Sequence, residues 1–436
     1  MKRSLSIRQS RLRVLVLTMQ GTPWREFSAV KSLRTMFHDD PRLDVVVADA
    51  RAPLAPWLRS TKFDIVVLSS TFLGARYSNR LLEQVKRKFE FVASTHALKV
   101  AMPQDDYDCC RLLDEWLSEW SVNIVYAAAP TNWSVLYPRS LRKAEIRLGY
   151  TSYITDRQIV AIESLKPWGN RSIDVSYRAT SLPLNFGHLG QLKQSVGEIF
   201  RKKVLDASEF QLDINVGGGS AISGNRWLEF VESSRFVLVS PSGSSFIDPN
   251  GDLRELASEP RFVTGTLADF LIEASRRKLE WYELSNTAIS PRNLEAVLRG
   301  TVQIAIPGEY SGILQPINHY VPLDQDLDVR CVLRNELDWH RIRSEARDAV
   351  LSVRRLRANE LISELLELLQ GSGRESECEG RRSVVRQRVK WSCAALFSGM
   401  AIPIWRWLGA ITLAMAGKAL VIGRRILNQR SETTLN

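Results

Sequence analysis

The sequence predicts an α/β protein with two facing, doubly wound domains and a helical, apolar tail at its C-terminal end. Apolar runs that suit strands buried on both faces alternate with amphipathic helical segments over residues 11–129. The same alternation restarts at residue 172, after a linker candidate with the sequence KPWGNR. Strands that alternate with helices of this length indicate βαβ units and parallel sheets.

The first alternating region predicts an N-terminal domain at residues 1–165. Its strand candidates are 11–18, 43–50, 63–70, 97–103 and 122–129, and its helix candidates are 25–38, 79–89 and 110–120. Residues 130–170 are less regular and contain the basic cluster RSLRKAEIR.

The second alternating region predicts a domain at residues 166–345, a helical segment at 346–371 and a tail at 372–436. Strand candidates are 172–179, 211–217, 235–242 and 301–307, helix candidates are 189–206, 226–234 and 290–300, and residues 339–369 are mostly helical. We expect the stretch between residues 242 and 290 to be a β-rich insert. Because ligands of open α/β sheets bind beyond the carboxyl ends of strands, the cleft between the domains is the expected site.

Composition favours an anionic partner and a reducing compartment. The chain has 436 residues and a formal net charge of +11, which suits phosphate-bearing ligands or an anionic membrane; an arginine-rich background composition explains it as well. No motif for RNA or DNA accompanies the charge, so we expect no nucleic-acid partner. Five cysteines without a CxxC spacing indicate neither a disulfide framework nor a zinc site. We expect no metal and no cofactor.

The segment SPRNLEAVLRG contains the most informative helix. Ser290 and Pro291 suit the N-cap and first helical positions, and Gly300 suits the C-terminal cap. A capped helix N-terminus of this kind binds phosphate or polarised oxygens well. Glu295 on this helix either faces solvent or accepts hydrogen bonds from two sugar hydroxyls.

Several motifs in order carry a family resemblance. NLEAVLRGTVQI resembles the nucleotide-binding segment of GT-B glycosyltransferases, which have two facing Rossmann-like domains. More narrowly, ISPRNLEAVLRGTVQIAIPGEYSGILQP, HYVPLDQD, DVSYRATSLPLNFGHLGQLK and SPSGSSFIDPNGDL resemble the bacterial glycosyltransferase-like proteins of the CgeB spore-maturation family. The resemblance covers roughly residues 95–345 and is densest over 172–326.

The resemblance implies roles for residues around the helix. Glu295 matches the acid that hydrogen-bonds the ribose of the nucleotide in retaining GT-B enzymes. Those enzymes carry a second acid eight residues upstream, where this chain has Thr287. Glu309 is the candidate substitute for that acid. The full set of expected nucleotide-sugar ligands also includes Ser290, Arg292, Tyr310, Ser311 and Gly312.

Cations near the start of the second domain are expected to neutralise the donor diphosphate, as the resemblance implies. Arg178 and Lys193 flank its first strand and helix, and each is equally well a solvated surface cation. His188 either donates to a phosphate or is a structural loop residue. Gly21 occupies the position where a glycine loop of the first domain would meet the donor.

Asp105 and Asp106 are the candidate catalytic bases. They follow a predicted strand of the first domain, where a base that activates the acceptor belongs. An acidic helix N-terminus before residue 110 explains them as well. GT-B enzymes generally need no metal, and the two aspartates do not form a DxD pattern.

The C-terminal tail is expected to associate with the inner face of the membrane through residues 381–430. Residues 391–423 are strongly apolar but are interrupted by Arg406 and Lys418, and basic clusters flank them. These features favour an in-plane or re-entrant anchor, and a helix that docks on this or a partner subunit is the alternative. The sequence as a whole predicts a cytoplasmic glycosyltransferase that moves a sugar from a nucleotide-diphosphate donor to a cell-surface glycan or lipid-linked acceptor. The alternatives are an inactive glycosyltransferase-like scaffold at the membrane and another two-domain sugar-nucleotide enzyme such as an epimerase.

Overall fold

A computed structural model describes residues 11–19, 28–204, 208–217, 222–283, 287–334 and 338–371. Gly21 and the tail at 372–436 therefore lie outside the described residues, and the predictions made for them stay predictions. The chain divides into two compact units, Met1–Arg51 with Thr61–Ser376, and Ala52–Ser60 with Glu377–Asn436. Both sheets described below belong to the first unit. Of the second unit the structure describes one short segment, which includes the helix α2 (Trp57–Ser60).

The first sheet is wholly parallel, as predicted. Its strands are β1 (Leu12–Thr18), β2 (Leu43–Asp49), β3 (Ile65–Leu68), β4 (Leu98–Ala101), β5 (Ile124–Ala127) and β6 (Glu145–Leu148), in the spatial order β2-β1-β3-β4-β5-β6. Residues 14–17 of β1 have no exposed surface, as a central strand covered on both faces requires. Strand β6 was not predicted, because its sequence EIRL is half exposed at the sheet edge and lacks a continuous apolar run.

Short helices cover the first sheet. They are α1 (Ser28–Thr35), α3 (Ser70–Leu73), α4 (Asn79–Lys88), α5 (Cys110–Glu119), α6 (Trp133–Leu136) and α7 (Asp156–Val160). Helix α5 packs through Trp116, whose ring lies 5.3 Å from the rings of both Phe72 and Trp120. These aromatic contacts anchor the strand–helix connections that position residues 102–109 at the carboxyl end of β4.

The second sheet is also parallel. Its strands are β7 (Ile173–Ala179), β8 (Leu212–Val216), β9 (Ser234–Val239), β12 (Val302–Ala305) and β13 (Val321–Pro322), in the spatial order β13-β12-β9-β7-β8. A separate antiparallel pair joins β10 (Phe246–Ile247) to β11 (Tyr282–Glu283). The helices of this region are α8 (Gly187–Lys203), α9 (Asn225–Glu232), α10 (Asp252–Ala257), α11 (Pro260–Val263), α12 (Leu267–Arg276), α13 (Pro291–Leu298) and α14 (Val329–Leu333).

The prediction of a β-rich insert is wrong. Between β9 and α13 the described chain is mainly helical and contains α10, α11 and α12. The sequence carried helix signals there: a proline at the first position of α11, and Thr266, whose side chain caps α12 by accepting from Asp269 N at 3.1 Å. Phe270 and Ala274, both fully buried and four residues apart, give α12 its apolar face.

The last helices return the chain to the first sheet. Helices α15 (Trp339–Ser352) and α16 (Ala358–Gly371) are separated by a short non-α-helical stretch, so the predicted helical region is confirmed but interrupted. Glu364 of α16 accepts a hydrogen bond from Tyr126 Oη at 2.9 Å and pairs with Arg147, on two strands of the first sheet. In the part of the chain that the structure describes, no helix is long and apolar enough to cross a membrane.

Candidate functional site

The second sheet has a topological switch point between β7 and β9. The next strand in the chain, β8, lies on one side of β7, whereas β9 lies on the other. At such a point the segments that follow the two neighbouring strands run to opposite sides, which leaves a crevice beyond the carboxyl ends of these strands. The residues after β7 and β9 are therefore the natural location for a ligand.

The N-terminus of α8 lies against the loop that follows β9. Gly187 has φ +62°, and a side chain there would approach Ser245 and Phe246 within 2.7 Å, so only glycine fits. Two residues further along the helix, Leu189 N donates to Ser245 Oγ at 3.0 Å. His188 is exposed at this helix end, and its predicted phosphate contact stays a prediction.

Arg178 is neutralised within its own sheet. Both carboxylate oxygens of Asp213, on the neighbouring strand β8, accept from Arg178 Nη2 at 2.8 Å. The Arg178 guanidinium carbon also lies 4.4 Å from the centre of the Phe230 ring. The Asp213 carboxylate compensates the positive charge of Arg178, so Arg178 attracts a diphosphate less strongly than an unpaired cation does. The predicted contact between Arg178 and the donor diphosphate stays a prediction.

Lys193 and Arg292 form a cation pair that the described chain does not neutralise. Burial and the neighbouring charge of Arg292 lower the pKa of Lys193 to about 8, and Asp105 partly opposes them. Arg292 donates from Nη2 to the backbone oxygen of Arg178 at 2.6 Å, and its guanidinium carbon lies 5.2 Å from the Trp227 ring centre. Among the described residues neither cation has a carboxylate within ion-pair distance. Two adjacent cations in a half-buried position favour an anionic ligand.

Tyr177 connects these cations to the end of β9. Its hydroxyl donates to the backbone oxygen of Lys193 at 2.5 Å, and the Arg292 guanidinium carbon lies 5.3 Å from its ring centre. The Ser240 and Arg292 side chains both act on the pKa of the hydroxyl. Burial raises the pKa of Tyr177, so the hydroxyl stays protonated and can donate. The sequence patterns did not single out Tyr177, because a tyrosine within a strand has the usual appearance of a core residue.

Asp105 faces this cluster from the first domain. It follows β4 with φ +48°, a conformation that aspartate tolerates better than most residues. Its Oδ1 accepts from the Tyr107 hydroxyl at 2.6 Å, and its backbone oxygen accepts from Arg76 Nη2 at 2.8 Å. The Tyr107 ring in turn meets Phe186, just before α8, in an edge contact with centroids 6.4 Å apart. These contacts hold the loop after β4 against the start of α8, where the charge of Asp105 acts on Lys193.

Asp106 does not share this position. Its side chain is fully buried, accepts from Ala129 N at 3.2 Å and from the Tyr137 hydroxyl at 2.8 Å, and supports the loop after β5. Burial raises the pKa of Asp106. The Asp106 carboxylate is inaccessible to a ligand in this structure, and the predicted roles of Asp105 and Asp106 as bases stay predictions.

The helix α13 has the predicted ends. The Ser290 side chain accepts from Asn293 N at 3.3 Å in a reciprocal capping box, Pro291 occupies the first position, and Gly300 follows the helix with φ +61°. Glu295 is 7% exposed, and its Oε2 accepts from Trp227 Nε1 at 2.6 Å. The carboxylate therefore already has a protein donor, and its ribose contact stays a prediction.

Thr287 accepts two hydrogen bonds from the loop at residues 309–312. Glu309 N donates to Thr287 Oγ1 at 3.0 Å, and Ser311 N donates to the backbone oxygen of Thr287 at 3.3 Å. Tyr310 is fully buried and donates to Ile306 O at 2.6 Å, whereas Glu309 is exposed. The φ values of Tyr310, Ser311 and Gly312 are all positive, at 44°, 55° and 72°. Thr287 thus serves the loop structurally, and Glu309 remains available as a ligand only from the surface.

A second set of contacts, which sequence patterns missed, links the loop after β4 to residues 248–254. Arg254 of α10 donates from Nε to Asp108 Oδ2 at 2.9 Å, and Asp248 N donates to Tyr107 O at 2.8 Å. Burial and the nearby charge of Asp108 raise the pKa of Asp248 to about 6. The signal was present in the stretch FIDPNGDLR, where two acids and an arginine surround a turn.

Comparisons with known proteins return structures only. No family model matches the chain, and no curated protein matches it. An alpha-glucosyltransferase solved with UDP and a 13-mer DNA containing a HMU base is 9% identical with a TM-score of 0.47; the match covers 83% of this chain and 100% of that one. A glycosyltransferase from Rickettsia africae ESF-5 is 8% identical with a TM-score of 0.43, over 84% and 100%. Anabaena Alr3699/HepE, solved with UDP and glucose, is 11% identical with a TM-score of 0.41, over 83% and 100%.

With identities near 10% and TM-scores below 0.5, function has to be argued from the site. The narrower resemblance to the CgeB spore-maturation family is not confirmed. The comparisons give no support to the expected exclusion of nucleic acid, which stays a prediction. Among the described residues no group of three or more His, Cys, Asp or Glu side chains could hold a metal ion, and metal independence stays a prediction.

Proposed function

We propose that the protein is a GT-B-type glycosyltransferase that uses a nucleoside-diphosphate sugar. The observation that carries this proposal is the cation pair of Lys193 and Arg292 beside the switch point of the second sheet. A diphosphate brings the negative charge that this pair lacks among the described residues. The adjacent N-terminus of α8 offers further N–H groups and a favourable dipole.

In the proposed transfer, the acceptor hydroxyl oxygen bonds to the anomeric carbon while the bond from that carbon to the diphosphate oxygen breaks. The leaving diphosphate takes the electron pair, and Lys193 and Arg292 stabilise its growing charge. Asp105, on the other domain, accepts the proton of the acceptor hydroxyl. The fixed contact between Tyr107 and Phe186 supports this arrangement, since it keeps the base beside the cations.

Nucleotide and sugar recognition are assigned to the second domain. Glu295 would bind ribose, which requires its hydrogen bond to Trp227 to open or to be shared. Glu309, in the loop whose other members are Tyr310, Ser311 and Gly312, would reach the donor sugar in place of the acid that Thr287 replaces. Ser290 is a further proposed donor ligand in this domain, and Gly21 is proposed to meet the donor from the first domain.

The proposed acceptor is a cell-surface glycan or a lipid-linked glycan. The basic and apolar composition of residues 381–430 supports an acceptor at the inner face of a membrane, and hence a cytoplasmic location there. A hexose donor, independence of metal and the absence of a nucleic-acid partner belong to the same proposal.

A catalytically inactive scaffold of the same fold is the second candidate. Three positions that the family resemblance assigns to the donor favour it. Arg178 is paired with Asp213, Glu295 is held by Trp227, and Thr287 stands where an acid is expected. A scaffold of this kind would bind nucleotide or glycan without turnover.

A screen of UDP-, GDP-, dTDP- and CMP-sugars separates the two candidates. We expect slow hydrolysis of at least one nucleotide-diphosphate sugar, measured by release of the nucleoside diphosphate, and the same rate with EDTA present. The matched control is Lys193→Gln/Arg292→Gln, which should release none. Binding of a donor without any release, with and without lipid-linked or polysaccharide acceptors, would leave the scaffold as the function.

A further inference from the structure

A second group of arginines lies at the opposite end of the second sheet. Arg171 comes just before β7, and it donates from Nη1 to Ser234 O at 2.9 Å and from Nη2 to Arg299 O at 2.7 Å. Ser234 begins β9, and Arg299 follows the last turn of α13. These are the amino ends of the strands, so this group is separate from the proposed donor site beyond their carboxyl ends.

Helix α15 contributes an aromatic ring and two more arginines on one face. Trp339, Arg343 and Arg347 follow one another at intervals of four residues, which places them along one side of the helix. Trp339 stacks on Trp168 with centroids 4.1 Å apart and planes at 7°. The Arg343 guanidinium carbon lies 5.3 Å from the Trp168 ring centre, and that of Arg171 lies 5.6 Å from it. The stacked rings therefore hold two guanidinium groups beside each other.

The guanidinium groups of this cluster lack anionic partners in the described chain. Arg171 is 3% exposed, and its Nε has no hydrogen-bond partner, nor do the buried Nε atoms of Arg343 and Arg347. Glu232, the acid that acts on Arg171, is already bound by Arg299 at 2.9 Å. Burial and the charge of Arg343 lower the pKa of Arg171 to about 10, because both disfavour the charged form of the guanidinium.

A structural role explains only part of this cluster. The carbonyl oxygens at the end of α13 account for Arg171, because cations are stabilised at a helix C-terminus. Arg343 and Arg347 donate no hydrogen bond to the described residues, and the two side chains are partly exposed. We infer that Arg343 and Arg347, next to the buried charge of Arg171, form a second anion site that binds a phosphoryl group.

The chemistry of guanidinium favours a phosphoryl ligand over a simple halide. Its planar fork matches two phosphate oxygens at once. The phosphoryl group belongs either to a soluble phosphate compound or to a phospholipid headgroup. Arms of the experiment with each source distinguish the two.

The test measures phosphate binding to the full chain by calorimetry. We expect Arg343→Gln/Arg347→Gln to bind inorganic phosphate roughly 100-fold more weakly or worse, because two charge-assisted contacts are lost and each is worth about tenfold or more. The matched control is Arg341→Gln/Arg354→Gln, which removes the same charge from exposed arginines that pair with Glu345 and Glu360. Lys193→Gln/Arg292→Gln empties the donor site instead and should retain this phosphate binding, so the two sites are measured independently.

The same variants are then tested on phosphatidylglycerol and phosphatidylcholine vesicles. Vesicle binding that is lost only in Arg343→Gln/Arg347→Gln identifies a headgroup; vesicle binding that persists while phosphate binding is lost identifies a soluble ligand. Phosphate affinity in that variant within twofold of the matched control overturns the proposal. If the double variant does not fold, Arg347→Gln provides the same comparison, because the ring contacts of Arg343 remain intact. Arg343→Lys, which keeps the charge but not the fork, should lose part of the affinity.

Discussion

The cations at the carboxyl end of the second sheet fall into two groups that differ in their partners. On the β8 side, Arg178 is held by both oxygens of Asp213. Lys193 and Arg292, by contrast, have no carboxylate within ion-pair distance among the described residues, although the charge of Asp105 acts on Lys193. The family resemblance gave Arg178 and Lys193 the same role, yet of the two only Lys193 lacks a carboxylate partner among the described residues. The difference teaches that the partner of a cation decides its role, because a neutralised cation contributes little to an anion site.

The largest expected effect removes the unneutralised pair. Lys193→Gln/Arg292→Gln should weaken UDP and GDP binding roughly 100-fold or more, since each lost charge-assisted contact is worth about tenfold or more. Isothermal titration calorimetry measures both nucleotides. Thermal unfolding should show an unchanged or higher midpoint, because two like charges no longer repel each other. Unchanged nucleotide affinity in this variant would remove the basis of the proposed function.

The two aspartates repeat the comparison in the first domain. Asp105→Asn should lower the rate of sugar transfer about 100-fold, in the range of a lost general base, with nucleotide affinity nearly unchanged. Asp106→Asn is the matched control, since Asp106 is fully buried and holds Ala129 N and the Tyr137 hydroxyl. The control should change stability rather than the rate per folded molecule. Equal loss of rate in both variants would mean that neither acts as the base.

The sequence predicted the parallel sheets, most strands and the ends of α13, but not the electrostatic partners. Buried strands and helix caps depend on local residue patterns, which is why Ser290, Pro291 and Gly300 could be assigned correctly. The pairing of Arg178 with Asp213 joins residues 35 apart, and that of Glu295 with Trp227 joins residues 68 apart. No local pattern encodes such contacts. The same limit hid β6, whose edge position replaces the apolar signal with exposed charged residues.

Breaking the neutralised pair should affect stability more than binding. Arg178→Gln leaves the Asp213 carboxylate without its partner and removes the contact with Phe230. We expect the free energy of unfolding to fall by about 1–2 kcal/mol, below the cost for a fully buried pair because Asp213 is partly exposed. Chemical denaturation measures this change, and UDP affinity should stay within about threefold. Adding Asp213→Asn should restore part of the stability. An affinity loss as large as that of Lys193→Gln/Arg292→Gln would instead assign Arg178 to the diphosphate.

The smallest expected effect is a pH dependence of UDP affinity and of stability, which arises from the titration of Lys193. Because the pKa of Lys193 is lowered to about 8, the free site loses a positive charge as the pH rises through that value. UDP affinity should therefore fall about fivefold between about pH 7 and pH 9, with Arg292 retaining the rest. Stability should move the opposite way: the unfolded lysine still binds its proton up to its ordinary pKa of 10.5, so this group makes the folded state relatively more stable as the pH rises from about 8. Lys193→Gln should abolish both trends, whereas Arg178→Gln should leave them intact. A pH profile that is the same in wild type and Lys193→Gln would show that this lysine does not titrate in the site.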